Sequence, residues 1–146
     1  MAKALTALIS DEVLMDYYLR TITYGLLLMD YEAAVAFAED WIDSWNSHDI
    51  ERILSHYAQE IEFYSPLIVE RYADLTGVIT SRVKLKEYFS LGLAKNTALK
   101  FKLLEVLVGV NQILLYYENA RGGRTGELFE FGSGSKVIRS SSCYTN

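Results

Sequence analysis

The feature that most constrains this chain is a change in the period of its apolar residues near Leu99. Before that point apolar residues recur at three-and-four spacing; after it they alternate. From Tyr31 to Trp45, the residues Ala34, Phe37, Ala38, Trp41, Ile42 and Trp45 form one stripe. Glu39, Asp40, Asp43 and Ser44 fall opposite, which predicts an amphipathic helix. Asp49 is placed to cap a short second helix, Ile50 to Tyr57. Ile61 to Ser65 alternates and reads as a strand stopped by Pro66. Leu67 to Gly77 reads as a loop with some strand character. Thr80 or Ser81 then opens a third helix that runs to about Leu93, with Val83, Leu85, Tyr88, Phe89 and Leu91 as its apolar side. Downstream, Leu99–Val110, Gln112–Asn119, Thr125–Phe131 and Lys136–Tyr144 read as four consecutive strands. Gly122-Gly123 and Gly132-Ser133-Gly134 turn the chain between them. Helices first and hairpin-linked strands after predict an α+β domain, with three helices on one face of a strongly curved antiparallel sheet.

Composition removes several function classes. The chain has 146 residues and a net charge of −5, without the basic excess of a nucleic-acid binder. A single cysteine, Cys143, excludes an internal disulfide and a cysteine-based zinc site. Two histidines, His48 and His56, without His-x-x-x-His spacing or clustered carboxylates, give no metal signature, and no cofactor is expected. The uncharged run Thr21 to Met29 is too short for a membrane helix, and Asp11, Glu12 and Asp16 break any signal-like core. A cytoplasmic location is expected, in keeping with the lone thiol. Residues 1–28 read as an amino-terminal extension, either an amphipathic helix or loosely ordered, and residues 29–146 as the domain proper. Met29 is an alternative start.

Several segments, in order, resemble a known family. Trp41-Ile42-Asp43-Ser44-Trp45-Asn46-Ser47-His48-Asp49 is similar to a helix end of the pattern W-x-x-x-W-N-x-x-D. Ile53 to Ala58 is similar to the short second helix of that family. Ile61-Glu62-Phe63-Tyr64-Ser65-Pro66 is similar to its first strand. Gly77 with Val83 to Phe89 is similar to its third helix, and Glu127 to Phe131 with Lys136 to Arg139 and Tyr144 is similar to its closing strands. Together they resemble the nuclear transport factor 2-like superfamily and, within it, the SnoaL-like group, over about Tyr31 to Tyr144. The resemblance implies a cone-shaped half barrel with an apolar cavity between helices and concave sheet, often dimeric. It does not select a reaction, since such folds carry isomerases, cyclases, hydrolases and binding proteins alike.

Glu127 carries the strongest chemical signal. It shares a strand face with Phe129 and Phe131, so if the phenylalanines face inward a carboxylate does too. A carboxylate in an apolar site has a raised pKa and can act as an acid. The alternative is that Glu127 reaches solvent and pairs with Arg124 or Arg121. In the ketosteroid isomerase branch, the resemblance implies a carboxylate base where Ser65 stands and an oxyanion-hole tyrosine where Trp41 stands. Both differ here, so steroid-type isomerisation is not expected. On the last strand Ser140, Ser142 and Tyr144 share one face and Arg139, Ser141 and Cys143 the other, which puts Tyr144 inside. Trp41, Trp45, Tyr57, Ser65, Tyr88, Phe129 and Tyr144 are the candidate ligand-binding residues, with Glu127 as the candidate acid. His48 reads as a solvent-facing junction residue, and His56 as a complement to a helix C-terminus.

Three readings stay open. The chain binds a small, largely apolar molecule. It is an isomerase, cyclase or hydrolase acting on a polyketide- or terpene-like substrate through Glu127. Or it is a ligand-free interaction module. A homodimer is expected through the outer sheet face, because both faces of the sheet's middle look apolar: Leu104, Val106 and Val108 share the face of Lys100 and Lys102, and Leu114 and Tyr116 lie opposite Ile113, Leu115 and Tyr117.

Overall fold

The structure, a computed structural model, describes residues 11–16, 19 and 30–145. Residues 11–16 and 19 are helical. The expectations for the rest of 1–28 and for Met29 as a start lie outside the described residues.

Helix α1 spans Tyr31–Asn46 and is capped by Asp30, whose carboxylate accepts from the Ala33 amide at 2.7 Å. It buries Ala34, Ala38, Trp41, Ile42 and Trp45 of the predicted stripe, while Phe37, its remaining member, is half-buried against the core. Ser44, predicted to lie opposite, is buried as well, because its hydroxyl returns to the Trp41 carbonyl at 2.7 Å and needs no water. Helix α2, Ile50–Ser55, is capped by Asp49 as expected. Strand β1 is Tyr57–Tyr64, longer than the alternation from Ile61 suggested.

Pro66 does not stop that strand in a loop; it opens a further helix, α3, Pro66–Tyr72. The Ser65 hydroxyl accepts from the Leu67 amide at 3.2 Å, and proline suits the first helical position because it has no amide to satisfy. Ala73, left-handed at φ 52°, ends it. Strand β2, Val78–Ile79, pairs with the end of β1. Helix α4, Arg82–Lys95, is capped by Ser81 and buries Leu85, Tyr88, Phe89 and Leu93. Val83 and Leu91, predicted to face inward, are exposed.

Strands β3 (Lys102–Gly109), β4 (Gln112–Glu118), β5 (Arg124–Phe131) and β6 (Val137–Tyr144) follow as expected. The sheet order is β2-β1-β6-β5-β4-β3. It is a curved α+β half barrel, not closed, but mixed rather than wholly antiparallel: β1 runs parallel to β6. The difference arises because β1 is separated from β6 by about half of the chain, so no hairpin forces the two to oppose. Four labelled helices rather than three pack around it.

One irregularity decides which residues the two faces present. A register shift between Leu103 and Glu105 inserts an extra residue in β3, so that Leu103 pairs Tyr117 and Glu105 pairs Tyr116. Alternation resets there. Val106, expected outside with the lysines, turns inward and is buried opposite Leu115; Leu107 takes its place outside.

Candidate functional site

The inner faces of β5 and β6 meet in register: Glu127 pairs Ser142 and Phe129 pairs Ser140. Period two therefore places two hydroxyls beside one carboxylate. Glu127 is only 2% exposed. Ser140 donates to its Oε1 and Ser142 to its Oε2, each at 2.6 Å. Burial raises its pKa to about 7, with the two serine hydroxyls pulling partway back by favouring the charged form. Arg124, one of the partners considered from sequence, pairs instead with Glu118 at 2.6 Å.

Glu127 and Ser142 sit on the wall of a pocket of about 800 Å³ between the helices and the concave sheet. Trp41 and Trp45 from α1, Tyr88 and Phe89 from α4, Phe101, and Tyr117 from β4 give it an aromatic wall. Of the residues proposed from sequence, Trp41, Trp45, Tyr88, Glu127 and Tyr144 line this pocket. Tyr57, Ser65 and Phe129 are buried behind the wall. Phe129 is covered by Phe37 and Trp41, whose rings lie 5.3 Å away edge-on. The Tyr57 hydroxyl accepts from the Trp41 indole at 3.0 Å, which fixes the Trp41 ring against the cavity. Ser65 is occupied as the α3 cap and lies 3.4 Å from the Tyr144 hydroxyl. Trp45 is 7% exposed, and its indole nitrogen has no acceptor among the described residues.

The tyrosines respond to this environment. Tyr57 and Tyr117 are pushed well above the usual phenol range, first by burial and then by the Glu127 charge. Tyr144 is pushed to about 12 for the same reasons, so all three are neutral donors at physiological pH. The histidines lie elsewhere. His56 caps α2, with Nε2 2.7 Å from Asp40 Oδ2 and Nδ1 3.1 Å from the Ile53 carbonyl. His48, half-buried rather than solvent-facing, has Nε2 3.0 Å from the Leu99 carbonyl. Among the described residues, no group of three or more His, Cys, Asp or Glu is arranged to hold a metal ion, and no helix is long and apolar enough to cross a membrane.

Comparison with solved structures places this arrangement. A SnoaL-like protein of unknown function from Burkholderia thailandensis superposes with a TM-score of 0.80 at 31% identity, over 82% of this chain and 99% of that one. The chain belongs to the SnoaL-like family. Another SnoaL-like family member, from Agrobacterium tumefaciens, superposes at 0.62 with 11% identity, over 77% and 97% of the two chains. A nuclear transport factor 2-like protein of unknown function from Cytophaga hutchinsonii does so at 0.56 with 12% identity, over 80% and 91%. These last two share the fold alone. No family model and no curated protein matches the sequence.

Local alternation on β5 and β6 put Glu127 and Tyr144 on the face that lines the pocket; Ser142, placed on the same face as Tyr144, was not among the candidate site residues. Phe89, Phe101 and Tyr117 were missed as wall residues, and so were Arg71, Lys95 and Arg121 at the mouth. The inward phase of Tyr117 was readable; that it stops at a void rather than in the core was not.

Proposed function

We propose that this SnoaL-like protein binds a small, largely apolar molecule in the cavity and holds one of its oxygens, a carbonyl or similar acceptor, at Glu127. The observation that carries the reading is a carboxyl group on the wall of an aromatic pocket, served by two serine hydroxyls and half-protonated near pH 7. A ligand site needs this combination: apolar walls for affinity and few polar groups for orientation. The test is carbon-13 NMR titration of Glu127 together with binding of aromatic ketones to the parent and to Glu127→Gln. A midpoint near 7 that moves on ligand addition supports the reading. An ordinary carboxylate titration with unchanged binding in the variant removes it.

The same midpoint favours a second reading, an isomerase, cyclase or hydrolase using Glu127 as proton donor, because an acid is most useful with its pKa near the working pH. Carbon-acid chemistry of the steroid type is not expected, since the residue before Pro66 is Ser65, a helix cap without a neighbouring base. The working unit on this reading is a cytoplasmic homodimer. Leu107, Leu114 and Leu128 are paired side by side across β3, β4 and β5 on the outer face, with Tyr116 beside them. Leu107, Tyr116 and Leu128 are exposed, a continuous apolar patch of the kind a partner covers. Light scattering at micromolar concentration should give a dimer and Leu128→Lys a monomer; a monomeric parent would remove this part.

A further inference from the structure

The cavity has chemically different ends. Its buried lining is Glu127, Ser142 and most of the aromatic wall. At the mouth stand Arg71, Lys95 and Arg121, brought from three separate places: the last turn of α3, the last turn of α4 and the β4–β5 turn. Lys95 and Arg121 are exposed and Arg71 is half-buried. None of the three forms an ion pair among the described residues, whereas Arg52, Lys86, Arg124 and Arg139 each do. One carboxylate, Glu70, shares the mouth. The rim is therefore locally cationic on a chain whose net charge is −5.

Helix ends explain part of this. Lysine and arginine in a last turn complement the carbonyls there. That accounts for Arg71 and Lys95 singly but not for Arg121, which lies on no helix yet lines the same opening. Arg71 is also held in place: its guanidinium lies 4.8 Å over the Tyr88 ring and donates to the Tyr88 carbonyl at 3.3 Å. A pre-positioned guanidinium, on the same pocket lining as two cations that form no ion pair among the described residues, suits a carboxylate, which it can meet with parallel hydrogen bonds.

We infer that the molecule held in this cavity is an organic anion: an apolar, ring-bearing body along the aromatic wall, an acceptor oxygen at Glu127, and a carboxylate or comparable acidic group at Arg71, Lys95 and Arg121. This rests on the cavity-binding reading above and specifies its ligand. The acidic protein surface repels anions at long range, so a local cationic rim has a selective role: it admits acidic ligands that the rest of the surface would exclude.

The probes are 6-acetyl-2-naphthoic acid and its methyl ester, which share the ring body and ketone and differ in one charge. Binding is read by quenching of Trp41 and Trp45, both on the wall. The acid should bind about tenfold tighter than the ester at low salt, the advantage expected of a charged hydrogen-bonded contact. Added salt should shrink that ratio. In the triple variant Arg71→Gln, Lys95→Gln, Arg121→Gln the ratio should fall to near one, while Lys102→Gln, on an exposed β3 lysine away from the pocket, leaves it alone. Equal affinities for acid and ester in the parent overturn this inference and leave cavity binding standing. A ratio that survives the triple variant also overturns it. Failure of both probes to bind overturns the inference and the cavity reading together. The parent comparison needs no variant to fold.

Discussion

Glu127 and Glu130 stand three residues apart on one strand and live in different chemistry. Glu127 faces inward and meets Ser140 and Ser142; Glu130 faces outward and meets Arg139, which also binds Glu62 at 2.8 Å from the neighbouring strand. The inner carboxyl has no cationic partner among the described residues and is almost wholly buried, and its pKa rises to about 7. On the outer face Glu62 has both, and Arg139 holds it below its ordinary value, with a smaller contribution from the Tyr64 hydroxyl. The strand direction, sheet and residue type are shared. What differs is the face, and with it the partner: hydroxyls that tolerate either charge state inside, guanidinium that demands one outside. A sheet can thus build a proton-bearing group and an ion pair from one alternating sequence.

The largest test breaks the inner half. Glu127 binds its proton more tightly folded, at about 7, than unfolded, near 4.5. Its neutral form therefore contributes stability that is fully present below 4.5 and lost as pH rises through 7. Replacing it by glutamine, which keeps the shape and can still pair with both serines, removes that dependence. In urea melts the stability of Glu127→Gln relative to the parent should improve by about 3 kcal/mol between pH 4 and pH 8. A constant difference across that range would mean that the charged form is not penalised. The variant is the necessary reference, because Asp40 and Glu62 are held below their ordinary values and slope the other way.

A smaller effect comes from the serines. Each donates to a different oxygen of Glu127 and so favours its charged form. Ser140→Ala or Ser142→Ala should push the Glu127 midpoint above about 7, each removing roughly 1–2 kcal/mol of hydrogen bonding to the carboxylate. Carbon-13 NMR reads the change directly. A midpoint that fell instead would make the hydroxyls partners of the neutral acid.

Much of this contrast was legible before any coordinates. Phe129 and Phe131 fix the phase of β5, and that phase fixes Glu127; on β6 Arg139 does the same from the opposite face, which turns Tyr144 and the two serines inward. Where the sequence misled, the cause was a local break in period or a distant packing event. The extra residue between Leu103 and Glu105 turned Val106 inward against simple alternation. The Ser65–Pro66 start of α3 carried a valid cap-and-proline signal, but the short apolar run after it read equally as strand. Phe129 and Tyr57 face the right way yet end behind Trp41, because which inward side chain reaches the void depends on helices placed over the sheet, not on β5 itself. Arg71, Lys95 and Arg121 converge from three element ends, and no local pattern encodes such convergence.

The smallest effect gives the comparison its sharpest form, because it exchanges partners without exchanging faces. Arg139→Ser gives Glu62 a hydroxyl-bearing neighbour of the kind Glu127 has, but leaves it in water. If the partner alone made the acid, Glu62 should climb toward the inner value. If burial is the cause, losing the guanidinium should raise Glu62 toward its ordinary value but not past it, since the Tyr64 hydroxyl still favours the charged form and desolvation is the smallest of the influences acting on it. The second outcome is expected. Because the pair is exposed, added salt should mimic part of the substitution in the parent, and unfolding free energy should hardly move. Glu127 in the same variant should titrate as before, because the two carboxyls lie on opposite faces and Arg139 has no part in the inner network. A Glu62 midpoint approaching 7 in Arg139→Ser would instead show that the hydroxyl partners, rather than the dry face of the sheet, set the acid.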